Sequence, residues 1–303
     1  MQQAPLGFIG LGNMGGRITR RLCDAGYSVT GYDRVTANVT ACGATAAASI
    51  AQVAQQAEVI FLSLPDSNVV EAVVEGDGGL LQHARSGQTV VDLSTASVAS
   101  TQRLYARFEA LGVNYVDAGI SGGAAAAEKG KLTLMVGGKA DVVDGLATVL
   151  MPFASKVAYM GPSGAGHTTK LLNNFLNAVS LAATAEVMVA GKKAGLDMQL
   201  LLEVLNSSSG VNFATLNRFP HIVQGNYLEG GLTNKLMTKD VVLYVDLVRA
   251  LGVTSLNSAG PMASFGLATA LGLGDQISNR VVDAIGDVSG GVRLHPSTTR
   301  NSP

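Results

Sequence analysis

The stretch "GHTTKLLNNFLNA" (166–178) sets one lysine, Lys170, and two asparagines, Asn173 and Asn174, among large side chains that are otherwise apolar. Lysines are almost never fully buried unless paired, so on ordinary grounds Lys170 belongs on a solvated face. An ammonium on a helix made for burial has another use. Where desolvation and nearby positive charge lower its pKa toward neutrality, the amine can take and return a proton. Asn174 follows by four residues, one helical turn, so its amide shares a face with Lys170 and could bond an oxygen held beside it. Asn173 is the adjacent alternative, and hydrogen bonding at a helix interface would account for either asparagine.

A second constellation lies near the start. "GFIGLGNMGG" carries the spacing G-x-G-x-x-G at Gly10, Gly12 and Gly15; an apolar run precedes it, an amphipathic segment follows, and the next apolar run, "SVTGYD", ends in Asp33, 18 residues after Gly15. Gly10 permits a tight turn, Gly12 lets the backbone approach a pyrophosphate, Gly15 allows close helix packing, and a helix N-terminus attracts the anion. Leu11, Asn13 and Met14 complete this candidate cofactor turn. Asp33 would accept from the adenosine ribose hydroxyls and repel a 2′-phosphate, which favours NAD over NADP. Arg34 can bind a 2′-phosphate or stack on adenine. A dinucleotide makes the chain either a hydride-transfer enzyme or a binding module, and Lys170 is what tells these apart.

These residues need a scaffold, and the pattern of the chain supplies one. At 303 residues the chain is about twice a typical domain. Runs rich in Val, Ile and Leu ("LGFIG", "SVTGYD", "EVIFLSL", "TVVDLS", "NYVDAG", "LTLMVGG", "KVAYMG") recur up to about residue 161, most of them separated by helix-length segments. Met14, Ile18 and Leu22 recur at four-residue spacing in one of these, and Ser97 and Gly112 bracket another. The fold class is therefore α/β: a Rossmann-type domain with a mainly parallel, doubly wound sheet. Gly161, Pro162, Gly164 and Gly166 then mark a change to helices only, expected at 167–193, 197–206, 213–223, 233–251, 260–272 and 275–287. This gives a dinucleotide-binding domain over 1–163, an all-helical substrate and oligomerisation domain over 164–288, and a frayed tail over 289–303.

Bulk properties narrow the partners. Lys and Arg number 21 against 22 Asp and Glu, a net charge of −1, which gives no ground for nucleic acid or a membrane surface as partner. Cys23 and Cys42 form no C-x-x-C pair and read as reduced thiols. The first residues lack the basic and apolar segments of a secretory signal, and the longest apolar stretch is interrupted by Glu186, so a cytoplasmic protein is expected. The four histidines, His83, His167, His221 and His295, have no metal-ligand spacing and read as surface or capping residues, with His167 one turn from Lys170.

Four stretches, "GFIGLGNMG", "DLSTAS" (92–97), "DAGISGGAAAAEKGKLTLMVGG" (117–138) and "GAGHTTKLLNN" (164–174), together resemble the β-hydroxyacid dehydrogenase family. A fifth, "KLMTKDVVLYVDLVRALGV" (235–253), is similar to the family's lysine-aspartate helix, and the resemblance runs over nearly the whole chain. It implies an enzyme moving a hydride between NAD, with NADP disfavoured, and a small 3-hydroxy carboxylic acid of the 3-hydroxyisobutyrate kind. Lys170 then corresponds to the catalytic acid/base with Asn174 beside it, and Ser121, Gly122 and Gly123 hold the substrate carboxylate. Thr95 contacts the cofactor near the reacting centre, or caps the helix after it; Leu64 and Pro65, after "EVIFLS", join the cofactor contacts. Lys239 reaches the cofactor and Asp240 lies near the catalytic lysine, a solvated charge pair being the rival account. "SSGVNFATL" (208–216) would line the substrate pocket, with Asn212 and Phe213 as selectors.

The pattern departs from the family at Ala124–Ala127 in the glycine loop and at Gly231 and Leu232 before the lysine-aspartate helix. Other readings are an NADP-dependent reductase of a small semialdehyde, a decarboxylating phosphogluconate dehydrogenase, an imine reductase, or a silent dinucleotide-binding module. The segment from His167 is apolar on more than one face, so it predicts a covering partner copy, a homodimer or homotetramer.

Overall fold

The computed structural model describes residues 4–295. The chain forms two compact units, Met1–Lys170 and Leu171–Pro303. The first contains β1 (Leu6–Ile9), α1 (Gly15–Asp24), β2 (Val29–Tyr32), α2 (Thr36–Ala41), β3 (Thr45–Ala46), α3 (Ile50–Gln56), β4 (Val59–Leu62), α4 (Ser67–Glu75), α5 (Leu80–His83), β5 (Thr89–Asp92), α6 (Val98–Glu109), β6 (Asn114–Ser121), α7 (Gly123–Glu128), β7 (Leu132–Gly137), α8 (Ala140–Gly145), α9 (Ala147–Leu150) and β8 (Ala154–Gly161). All seven apolar runs are strands. The two-residue β3 is additional, too short to leave a periodic signal.

The eight strands form one sheet in the order β3-β2-β1-β4-β5-β6-β7-β8, parallel throughout except for the antiparallel β6–β7 pair. Successive residues of a strand point to opposite faces, and each face builds its own core. Phe8, Phe61, Val91 and Val116 enter the core on one face, with Ile18 and Leu22 of α1. Their neighbours Ile9, Ile60, Val90 and Tyr115 enter the other, with Leu104 and Phe108 of α6. Each such fully buried side chain contributes about 1.5–3 kcal/mol relative to exposure. The sheet is thus held from both sides, and the parallel strands β1, β2, β4, β5 and β6 deliver their C-terminal ends to one edge.

Ser97 occupies the N-cap position of α6, but its side chain makes no capping bond; its backbone N–H instead donates to Ser67 Oγ. Asp66 does cap α4, accepting from the Val69 N–H.

The second unit is helical: α10 (Ala165–Lys193), which begins in the first unit, then α11 (Met198–Asn206), α12 (Phe213–Asn217), α13 (Phe219–Ile222), α14 (Asn234–Ala250), α15 (Ala259–Ala268) and α16 (Val281–Val288). The single helix expected over 213–223 is two, joined at Arg218, because Pro220, in the first turn of α13, has no N–H with which to continue the ladder of α12. The helix expected from 275 starts later, since Ile277 is extended and bridges to Thr233, after which a 3₁₀ turn (Ser278–Arg280) leads into α16. Gly272, at φ 80°, kinks the end of the α15 segment. Phe175, Leu181, Phe219, Ile222, Met237 and Phe265 anchor the core of this unit.

Of the tail expected over 289–303, residues 296–303 lie outside the described residues. Before them Leu294 is buried in the helical core and Arg293 pairs with Asp283 and Asp287, so this stretch is tied down. Both cysteines are free thiols, and burial pushes each above its ordinary pKa.

Candidate active site

The turn after β1 sorts its three glycines by purpose. A β-carbon at Gly15 would stand 1.9 Å from the Gly10 carbonyl oxygen, and one at Gly10, where φ is 89°, would stand 2.4 Å from the Ser63 carbonyl oxygen. The protein's own packing requires both. A β-carbon at Gly12 would meet nothing within 4 Å. Gly12 therefore keeps clear a space that the protein itself does not fill, and no side chain caps the start of α1 behind it. An open backbone cradle at an uncapped helix N-terminus fits the pyrophosphate of a dinucleotide.

Leu11 buries its side chain in the core, so only its backbone lines the turn, and its N–H donates to Asp33 Oδ2 at 2.6 Å. Asp33 Oδ1 accepts from the Val35 N–H and from Asn38. These bonds fix the carboxylate at the end of β2, with capacity left for a ribose hydroxyl. Arg34 is exposed. Asn13 and Met14 stand at the mouth of the turn, where Asn13 is held by Arg17 through both its carbonyl and its side-chain oxygen.

The next strand ends meet at the same edge. The Leu64 N–H donates to Ser94 Oγ at 3.0 Å, tying the loop after β4, with Pro65 exposed on it, to the loop that carries Thr95. Ser121 closes β6, and Gly122 and Gly123 follow at φ 124° and 66°, conformations that glycine adopts readily.

Lys170 is 9% exposed. Its stem lies against β6, where a β-carbon at Gly119 would stand 2.5 Å from Lys170 Cβ. The helix start that carries this lysine is fixed by Asp117, which is completely buried: Oδ1 accepts the Gly164 N–H at 2.7 Å and Oδ2 the His167 N–H at 2.8 Å. A carboxylate there satisfies otherwise unpaired helix donors and complements the positive end of the helix. Gly166 and Gly137 leave it room, since a β-carbon at either would stand within 3 Å of the carboxylate.

His167 is fully buried rather than at the surface. Its Nδ1 lies 2.7 Å from Thr101 Oγ1 and its Nε2 3.3 Å from the Asp92 carbonyl, so both ring nitrogens have protein partners. The Asp92 side chain accepts from the Tyr115 hydroxyl, whose pKa burial and that carboxylate push well above the usual range. Asp92 and Asp117 are thus positioning groups that the sequence did not single out, and His167, one turn from Lys170, joins them. The available signal was a lone acid inside an otherwise apolar strand, which must find partners.

Asn174 is 4% exposed and donates through Nδ2 to Asp240 Oδ2 at 2.5 Å, while Asp240, 1% exposed, lies 3.1 Å from Lys239 Nζ. The pair at 239 and 240 is therefore largely buried and not a solvated couple. Asn173 is exposed and donates to the Asn174 side-chain oxygen, which separates the two asparagines: the buried one lies on the Lys170 face of α10. Asn212 accepts from the Ala214 and Thr215 N–H groups and bonds Thr184, so it caps α12 and is not free to select a ligand. Phe213 keeps an exposed ring. Among the described residues no cluster of His, Cys, Asp and Glu could hold a metal ion.

Residues 5–161 match the family described as the NAD binding domain of 6-phosphogluconate dehydrogenase, and residues 164–285 that described as the NAD-binding domain of NADP-dependent 3-hydroxyisobutyrate dehydrogenase. The chain is 34% identical over 280 residues to 2-(hydroxymethyl)glutarate dehydrogenase of Eubacterium barkeri, covering 91% of this chain and 93% of that protein. It is 37% identical over 253 residues to mouse mitochondrial 3-hydroxyisobutyrate dehydrogenase, covering 80% and 76%. Among solved structures, 3-hydroxyisobutyrate dehydrogenase of Mycobacterium tuberculosis with L-serine superposes with a TM-score of 0.84 at 29% identity over 94% of this chain and 99% of that one.

Proposed function

The chain belongs to the β-hydroxyacid dehydrogenase family, and from that premise we propose that it interconverts a small 3-hydroxy carboxylic acid and its semialdehyde, with Lys170 as general acid/base. It is an NAD(P)-dependent hydroxyacid dehydrogenase, and its amino-terminal unit is the NAD-binding domain. NAD, when bound, supplies the hydride acceptor. The observation that carries the proposal is the burial of Lys170 against Gly119, on a helix whose start a buried carboxylate fixes.

In the oxidising direction the neutral Lys170 amine takes the proton of the substrate hydroxyl as hydride leaves the carbon that bears it, and the semialdehyde remains. In reverse, the ammonium returns that proton to the alkoxide oxygen. Asn174, held by Asp240 through one amide proton, turns its second toward the substrate oxygen. Ser121, Gly122 and Gly123 offer a hydroxyl and backbone N–H groups to the substrate carboxylate. Gly10 to Gly15, Asp33, Leu64, Pro65 and Thr95 line the cofactor's place at the sheet edge, and the lysine that the family resemblance assigns to the cofactor is Lys239. A 3-hydroxyisobutyrate-like acid fits this set best, because two sites, one for a carboxylate and one for a hydroxyl, need only a short chain between them.

The test is a panel of hydroxy acids (3-hydroxyisobutyrate, glycerate, threonate, serine, 4-hydroxybutyrate) with NAD and with NADP, followed by absorbance of the reduced cofactor. Lys170→Ala should lower kcat about 10²–10⁴-fold and leave NAD binding intact. A variant that keeps near-normal turnover would remove Lys170 from the mechanism.

The protein works in this proposal as a cytoplasmic homodimer or homotetramer. Leu172, Leu176 and Val187 of α10 are exposed, as are Leu200 and Val204 of α11, an apolar surface of the kind a second copy covers. A monomeric mass in solution would overturn this. No helix among the described residues is long and apolar enough to cross a membrane.

A further inference from the structure

Within the helical unit, Phe175 and Tyr244 lie face to face, with ring centres 3.6 Å apart and planes 5° from parallel. The other four ring pairs among the described residues have centres 5.4–5.9 Å apart. Aromatic pairs left to themselves settle offset or edge to face, with centres about 4.5–7 Å apart, because directly stacked faces carry like partial charge. A sandwich this close is therefore imposed by the packing around it rather than by the attraction of the rings. Carbon atoms attract best at about 3.5–4.0 Å, so the two faces are already in contact and neither ring can advance on the other.

The rings belong to the two helices that bring Asn174 to Asp240. Phe175 follows Asn174 on α10, and Tyr244 stands one turn after Asp240 on the same face of α14. Met237 and Val241 of α14 are completely buried in the same core, where Phe175 is buried and Tyr244 packs from its margin. The hydrogen bond from Asn174 to Asp240 and the ring contact are thus two struts between one pair of helices, a residue apart on α10 and a turn apart on α14. The first strut can swing, since a hydrogen bond tolerates a range of angles, whereas the second is a hard stop. Without the stop α14 can settle toward α10 and roll, which turns the Asp240 carboxylate and the Asn174 amide bonded to it.

We infer that Tyr244 is a positioning residue for the reaction: its ring, stopped against Phe175, sets the spacing of α10 and α14 and thereby the angle at which Asp240 presents the Asn174 amide to the substrate oxygen. The inference rests on the reading of Asn174 as the group beside that oxygen. It assigns the role to the ring and none to the phenol hydroxyl. A ring that only filled the core would differ in one respect, since its removal would cost the same whether or not Asn174 was present.

The test is a double-mutant cycle on the full-length enzyme, with the best substrate of the hydroxy-acid panel. Asn174→Ala should lower kcat about 10²-fold, the worth of one donor aimed at a developing charge. Tyr244→Leu and Tyr244→Met, two replacements without a flat ring, should lower kcat about tenfold to a hundredfold while KM for NAD stays within about twofold. Tyr244→Phe keeps the stop and should stay within about twofold of the wild-type kcat. In the Asn174→Ala background the loss of the ring should lower kcat no further, because the group it positions is gone. Losses that multiply in the double variant overturn the inference and leave Tyr244 a packing residue, and wild-type kcat in Tyr244→Leu or Tyr244→Met overturns it as well. Should neither of those variants fold, Tyr244→Phe still decides: a loss of about tenfold there moves the role to the hydroxyl and removes it from the stack. If Asn174→Ala keeps the wild-type kcat, or no compound of the panel reacts, the reading of the site falls and the positioning with it.

Discussion

Gly119 and Lys170 touch backbone to stem: a β-carbon placed on the glycine would stand 2.5 Å from Lys170 Cβ and 3.0 Å from Lys170 Cγ. Real β-carbons do not approach so closely, so Gly119→Ala must push the lysine and its helix away from β6. A displacement of about 1 Å at a reacting group costs on the order of 10²-fold in rate. Gly119→Ala should therefore lower kcat by about that factor while NAD affinity, measured by fluorescence titration, stays within about twofold. Unchanged kcat would show that Lys170 need not sit where the strand holds it.

The glycine turn makes a paired prediction. Gly15→Ala places a β-carbon 1.9 Å from a backbone oxygen and should cost several kcal/mol, at least the 1–3 typical of an overpacked core. Gly12→Ala meets no protein atom and should leave Tm unchanged while weakening NAD binding about tenfold or more. Thermal melts with and without NAD separate the two. If Gly12→Ala binds NAD normally, the open space at Gly12 is not where the pyrophosphate lies.

Asp33→Asn keeps an oxygen for the Leu11 N–H but removes the negative charge. The ratio of kcat/KM for NAD to that for NADP should fall about tenfold, with most of the change from improved use of NADP. No shift in the ratio would assign cofactor choice elsewhere, with Arg34 the first place to look.

Asp240→Asn keeps a hydrogen-bonding group opposite Asn174 but leaves Lys239 beside a neutral amide. Loss of the buried charge should lower kcat/KM about tenfold to a hundredfold. A change confined to stability, read as a lower Tm at wild-type activity, would make the Asn174–Asp240 bond structural only.

Stability should fall in acid through Glu75. Hydrogen bonds and charge from Arg103, with Arg107, hold its carboxyl below the usual carboxylate pKa. A depressed folded pKa means the unfolded chain takes up the proton first. The contribution is fully present above the ordinary glutamate pKa and is lost as pH falls through the lowered one. It is about 1 kcal/mol for a pair this near the surface. Denaturant titrations at pH 7 and pH 3 should show Glu75→Gln losing less stability on acidification than the wild type; equal losses would remove Glu75 from the account.

The sequence by itself determined the two kinds of unit and most of the chemistry. Apolar runs alternating with helix-length segments can bury both faces only as a covered, mainly parallel sheet. The spacing of Gly10, Gly12, Gly15 and Asp33 states a backbone geometry, and a lysine with an asparagine four residues on states a shared helix face. These are local properties, set by the period of strand and helix. Only the tertiary structure decided which of two neighbouring asparagines is buried, that Asp240 holds it, and that Asp117 anchors the helix of Lys170 from 47 residues away in the chain. It also turned His167 inward and pressed the Tyr244 ring onto that of Phe175. Such facts depend on which side chains meet across long stretches of chain, and on how much water is left once they do. Periodicity carries no record of either.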